Sequence, residues 1–443
     1  MDASRKSPPP LTTGATDDTS RGAVGTYRSR TEQRLRSLLS NPLGATFALV
    51  VVLFILAYPF LDEYLRFRKI TDVIPIIVYI ILALGLNVVV GYAGLLDLGY
   101  AAFFAIGAYV AAFMTSPLSR FNQPAMHWWS NFWIALVVAF FVAIIAGMVL
   151  GAPTLRLRGD YLAIVTLGFG EIVPVVFRNS EYWTYGEKGL SAIGKPIIDI
   201  PFLGIHYELG AEPVLGLGDW SKQLPWYYLL LIVGALSIFA LRRLQDSRVG
   251  RAWMAMREDE IAAAAMGINL VTTKLSAFGM GASFSGVAGA VFGAYIGSIF
   301  PSQFEFSLSV ILLCAVILGG MGNIWGVILG GFIIQIFDRI LAPELTKTLV
   351  QVGQATHNDF LASIQLSNWR YFIFGAALVI MMLVRPEGLI PSGRRKAELH
   401  AAEEAIQVEP VPEEMMPVLE PAPQAVHGIQ TLYDVRESGE KQS

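Results

Sequence analysis

Apolar residues in this chain come in long runs, with neither the alternation of a half-buried strand nor the one-sided stripe of a surface helix. The runs fall near 44–61, 74–91, 97–115, 132–152, 161–178, 226–242, 273–298, 306–320, 324–341 and 370–385. Each approaches the roughly 20 residues that carry a helix across a bilayer. They predict an all-α polytopic membrane protein with about ten transmembrane helices, some of them interrupted by glycine. Basic residues then orient the spans. With the N-terminus inside, the cytoplasmic segments collect Arg156, Arg158, Arg242, Arg243, Arg248, Arg251, Arg257 and Arg385, while the long external loop 179–225 holds more acids than bases. This is the positive-inside pattern, with N- and C-termini cytoplasmic. Arg66, Arg68 and Lys69 run against it, next to Asp62 and Glu63.

Composition agrees with the pattern. Of 443 residues, 54% are hydrophobic and 15% charged, where a soluble domain carries about a quarter charged. A net charge of −3 does not point to nucleic acid or an acidic substrate. The one cysteine, Cys314, lies inside an apolar run and excludes an intrachain disulfide. Residues 1–40 are polar, without the apolar core of a cleavable signal. Residues 393–443 are rich in Pro and Glu, so both ends are expected to be disordered cytoplasmic tails. Between them the membrane-spanning body, 41–392, carries the external loop 179–225, a charged cytoplasmic segment 243–272 and an external insertion 342–369.

Three stretches carry candidate chemistry. The first, GLNVVVGYAGLLDLGYAAFFAIGAY (85–109), joins two spans and is broken by Gly91, Gly94 and Gly99. A broken helix at membrane depth is tolerated only where it faces protein or a wet cavity. Asp97 is either an N-cap for the helix beginning Leu98-Gly99-Tyr100 or an ionisable group lining a pathway. Asn87, Tyr92 and Tyr100 are its polar neighbours. A second break with Gly319, Gly320 and Gly322 closes VILGGMG as Gly91 and Gly94 close VVVGYAG. In the next stretch, TLRLRGDYLAIVTLGFGEIV (154–173), Glu171 stands about ten residues, or roughly 15 Å, up a helix. At that depth it should be paired, protonated or facing water.

The third stretch is GRAWMAMREDEIAAAAMG (250–267). Arg257 suits the end of one short helix, and Glu258, Asp259 and Glu260 the start of the next. Gly267 suits a left-handed exit. Trp253 and Met256 share a side while the charges spread around the axis, which fits docking in a protein groove better than lying on lipid. Arg257 and Glu260 are expected to carry that docking. GLSAIGKP (189–196) imitates a phosphate loop, but Pro196 stands where Ser or Thr would hold magnesium. The five histidines lack metal-ligand spacing, and nothing in the chain suggests an enzyme.

These stretches, with ILGGMGNIWG and VRPEGLIP in the same order, resemble LivM-type permease subunits of bacterial ABC importers for branched-chain amino acids. The resemblance covers roughly 70–390. It implies a second homologous permease subunit, a pair of ABC ATPase subunits that bind ATP and Mg in place of any cofactor in this chain, a periplasmic solute-binding protein, and the bacterial inner membrane. It makes Arg251, Trp253, Arg257, Glu258, Asp259, Glu260 and Gly267 an ATPase-coupling segment. Asn87, Tyr92, Asp97, Tyr100 and Glu171 become candidate pathway residues for branched-chain or other hydrophobic amino acids. Relatives that import urea or short amides keep the solute open, and an ion-coupled secondary transporter or channel is the alternative class. The chain departs from the family at Thr184–Gly189, in its long tails and in 342–369.

Overall fold

The computed structural model describes residues 42–390 apart from 122–129, 155, 156, 158, 201–204, 215–217, 357–362, 364 and 386. The expected tails, together with Arg156 and Arg158, lie outside the described residues. Each apolar run of the sequence becomes a helix. These are α1 (Pro42–Tyr64), α2 (Ile70–Asn87), α3 (Tyr100–Thr115), α4 (Phe132–Thr154) and α5 (Asp160–Asn179). A four-residue α6 (Glu181–Thr184) precedes α7 (Leu224–Gln245), and the charged segment forms α8 (Arg248–Glu258) and α9 (Glu260–Ala265). The remainder is α10 (Leu270–Ile296), α11 (Phe306–Gly319), α12 (Ile324–Ile336), α13 (Ala342–Ala355) and α14 (Leu366–Val384). Among the described residues, seven helical runs are long and apolar enough to cross a membrane, while α3 and α14 are apolar but shorter. The chain is a polytopic, mostly helical membrane protein.

The centre is α10 with α2 and α3 against it. Its inner face is a row of small residues, among them Ala277, Gly281, Ala282, Ser285, Ala288 and Gly289, all buried. With lipid as apolar as any side chain, helices associate by close packing, and small residues let the axes approach. The Tyr100 hydroxyl crosses this interface and donates to the Gly281 carbonyl at 2.8 Å. By contrast α1 is peripheral, with Leu49 through Leu56 exposed. Pro59 lies inside α1 and has no N–H for the carbonyl four residues back. That carbonyl, of Ile55, accepts instead from the Tyr227 hydroxyl of α7 at 2.7 Å, and Tyr228 donates to Leu56 at 2.9 Å.

Three features depart from the sequence expectation. The fold is not purely helical: β1 (Leu190–Ser191), β2 (Ile197–Ile200), β3 (Ile205–Glu208) and β4 (Ser298–Ile299) make two small sheets. β2 and β3 form an antiparallel hairpin, Ile197 opposite Glu208, where β-branched residues favour the pleat. The phosphate-loop look-alike falls on β1, which pairs Leu190 with Ile299 and opens no helix. Residues 342–369 do not begin as a separate loop, because α12, a π-helical turn at Phe337–Leu341 and α13 run on as one helix, Ile324–Ala355. Its 32 residues extend about 48 Å, longer than a hydrocarbon core of about 30 Å. At the start of α13 Glu344 pairs with Lys69 at 2.6 Å, balancing one of the charges that ran against the orientation rule.

Candidate functional site

Both glycine-rich breaks come together in space. After α2 the chain makes a π-helical turn at Val88–Tyr92 and turns out at Gly94, whose φ of +70° is left-handed. The carboxamide oxygen of buried Asn87 accepts the Gly322 N–H at 2.9 Å, tying this turn to the second break. There Gly320 and Gly322 take φ of +113° and +81°. The Asn323 side chain caps α12 through the Trp325 N–H at 3.1 Å. Backbone groups freed by a break need partners at this depth, and the C-terminal stretch supplies them. Leu389 and Ile390 donate N–H groups to the Leu318 and Gly319 carbonyls at 2.9 and 3.1 Å, and Asn323 Nδ2 donates to the Ile390 carbonyl.

The charged segment is anchored to the first break. α8 starts on Ser247, whose hydroxyl caps Gly250 at 3.1 Å, and buries Trp253 and Met256 on one side. The Trp253 indole donates to the Thr273 carbonyl and to Ser276 Oγ, each at 3.0 Å. Arg257 then reaches inward: its Nη1 donates to the Gly91 carbonyl at 2.6 Å, and its stem packs on Gly94, where a β-carbon would collide with it. The helices part at Asp259, in extended conformation, so Glu258 closes α8 and does not open α9. Asp259 caps α9, accepting from Ile261 and Ala262 at 2.7 and 3.0 Å. The Ala262 and Ile261 N–H groups hold its carboxyl below the usual aspartate range. Gly267 leaves α9 at φ +86°.

Side chains of this segment therefore divide into two sets. Glu260 turns back to Lys274 at 2.7 Å and Arg257 to Gly91, so the pair expected to dock outward faces its own chain. The outward set is Arg251, Glu258 and Asp259 with Ile261 and Met266. Ile261 is 71% and Met266 84% exposed. Sequence reasoning overlooked these two, although an apolar side chain on a charged short helix was the available signal.

The candidate pathway residues of 85–109 are all enclosed. Asn87, Tyr92, Asp97 and Tyr100 are at most 2% exposed. α3 begins at Tyr100 with Gly99 at its N-cap position. Asp97 is therefore not the helix cap; its Oδ1 accepts the Gly99 N–H at 2.9 Å, a local side-chain turn. The space beside it, lined by Asp97, Thr166 and Phe103 among others, is about 10 Å³, room for one water at most. Asn87 Nδ2, the Tyr92 hydroxyl and Asp97 Oδ2 are buried with no hydrogen-bond partner among the described residues. Glu171 lies exposed on α5, beside exposed Ile172 and Val175, and pairs with no basic group among the described residues.

A family model described as branched-chain amino acid transport system / permease component matches residues 73–382. The LivM permease protein of the high-affinity branched-chain amino acid transport system of Escherichia coli K12 is 38% identical over 361 residues, 80% of this chain and 76% of that protein. The probable LivM of Methanocaldococcus jannaschii is 24% identical, covering 71% of this chain and 90% of its own length. The LivH permease protein of Salmonella typhimurium is 25% identical, over 72% and 92%. No solved structure matches the chain. The breaks at 88–94 and 319–323 and the α8–α9 segment all fall within the matched region, and the chain belongs to the permease-component family of branched-chain amino acid transport systems.

Proposed function

We propose that this chain is the membrane subunit of an ATP-driven importer for branched-chain or other hydrophobic amino acids in a bacterial inner membrane. Its ten apolar helices all cross the bilayer with both termini in the cytoplasm, and it hydrolyses nothing itself. A homologous permease subunit completes the pathway, two ATPase subunits dock on α8–α9, and a periplasmic binding protein delivers solute to the face carrying β1–β4. Relatives named as LivM and as LivH both align with the chain, which supports a paired second permease. Exposed Glu171, with no basic partner among the described residues, belongs at that subunit boundary, where it meets the partner or water instead of lipid.

The observation that carries the reading is the bond from Arg257 to the Gly91 carbonyl. It connects the cytoplasmic segment directly to the π-helical turn and its three unpartnered polar atoms. ATPase closure grips Ile261, Met266 and the outward charges, moves α8 as a lever, and pulls on Gly91. Asn87, Tyr92 and Asp97 then turn their free polar atoms toward the solute in the alternate state, because buried polar atoms without partners are costly to keep. The push succeeds only because ATP binding favours one permease state over the other.

The test is uptake of radiolabelled leucine into vesicles holding the purified subunits. Uptake should require ATP, the ATPases and the binding protein, and no proton or sodium gradient should replace them. Gradient-driven uptake by the lone chain sinks the importer reading in favour of an ion-coupled carrier.

A further inference from the structure

At the end of α2 remote from Arg257 lies an open cavity of about 420 Å³, within the ~300–1,000 Å³ of small-molecule sites. It is bounded by α2, the loop before α11, the π-helical turn after α12, and α14. Asp338 and Arg370 face each other at 3.6 Å and balance one another. Two opposite charges remain. Asp72 lines the cavity from the first turn of α2, with no ion-pair partner among the described residues. Arg339 lines it too, holding Gln335 through Nε at 3.2 Å and lying 4.8 Å over the Tyr79 ring. Its two terminal nitrogens have no partner among the described residues. Arg370 Nε is likewise buried without a partner.

We infer that this cavity is a binding site for a free zwitterionic amino acid, with Asp72 taking the α-ammonium and Arg339 the α-carboxylate. The inference rests on the importer reading and adds to it where the solute first meets this subunit. Asp72 and Tyr79 are seven residues apart and share a helix face, about 10 Å along the axis. Arg339 stacks on Tyr79, so the two free charges stand one above the other on one wall. A guanidinium binds a carboxylate through paired N–H donors, and the Tyr79 ring holds it flat for that purpose. Leu308 and Ile311 of α11 border the same space and offer an apolar surface to the side chain. A first-turn aspartate does stabilise a helix dipole by itself. That role explains neither the uncompensated guanidinium farther along the same wall nor the open volume beside the two charges.

The test uses the purified permease–ATPase complex without binding protein, titrated by ligand-observed NMR with leucine, leucine amide and 4-methyl-2-oxopentanoate. The native complex should prefer leucine about tenfold over both analogues, a difference of about 1.4 kcal/mol each. Asp72→Asn should erase the preference over the oxo acid, which lacks the ammonium. Arg339→Gln should erase the preference over the amide, and Arg339→Lys should keep it. The inference fails if the native complex does not discriminate, or if both preferences survive the substitutions. It fails equally if either variant sheds the second permease subunit, since the cavity is then a subunit contact. ATP-driven uptake by the native importer is measured in parallel. Its absence overturns the importer reading, while the binding preferences decide the cavity separately.

Discussion

The two helix breaks stand side by side, yet they are closed by different kinds of bond. At 88–94 the Gly91 carbonyl is held by a guanidinium on a flexible stem, borne by α8, which is itself pinned to α10 through Trp253. At 319–323 the Leu318 and Gly319 carbonyls are held by backbone N–H groups of Leu389 and Ile390. In the lever proposed above, such a side-chain bond breaks and re-forms as α8 moves. Backbone pairing fixes both segments at once. Asn87, bonded across to Gly322, is the joint between a movable break and a rigid one.

Three experiments break or sharpen that contrast. The largest effect is expected at the rigid break, where Gly320 sits at φ +113° with the Ile390 carbonyl against it. Gly320→Val should lower stability by at least about 3 kcal/mol, read as a drop in the unfolding midpoint in detergent. An unchanged midpoint removes the claim of rigidity. At the movable break, Arg257→Met keeps the stem and deletes the bond. ATP-driven uptake should fall about tenfold, some 1.4 kcal/mol, with the ATPases still co-purifying and the midpoint dropping less than for Gly320→Val, since one buried carbonyl loses its partner. Loss of the ATPases would make Arg257 a docking residue after all.

The smallest effect concerns the cap that fixes α9 as a separate piece of the lever. The Asp259 carboxyl is held below its usual range by the Ala262 and Ile261 N–H groups. A depressed carboxylate contributes stability above its unfolded pKa of about 3.9, and that contribution disappears as pH falls through the lower folded value. Amide exchange at Ile261 and Ala262, corrected for intrinsic rates, should accelerate on that acid side. Asp259→Asn caps without a charge, so its exchange should show no such step. A step that persists in the variant assigns the effect to another group.

How far the sequence reached depended on how local each feature is. Every apolar run became a helix, because a long uncharged stretch leaves the backbone no other way to satisfy itself in lipid. The break between α8 and α9 was legible at Glu258–Glu260, one residue from its place. What failed was contact between distant parts. Nothing local in REDE says that Arg257 reaches Gly91, 166 residues away, or that Glu260 turns to Lys274. For Glu171 the sequence offered pairing, protonation or water, and a single helix pattern does not say which face of α5 is covered. Asp338 and Arg339 lay inside a recognised apolar run, where an ionisable residue is a functional signal by default. They passed unnoticed because what they meet, Arg370 for Asp338 and Tyr79 for Arg339, belongs to other helices. Strands β2 and β3 were hidden by their shortness, at four residues each.

The attachment of α1 sets a clock on assembly. A ribosome adds about 5–20 residues per second, so the 172 residues separating Ile55 from Tyr227 are made in about 10–35 s. During that interval the carbonyl opened by Pro59 waits for a hydroxyl that does not yet exist. Closing of the Tyr227 and Tyr228 bonds thus marks the moment when the nascent chain has delivered α7.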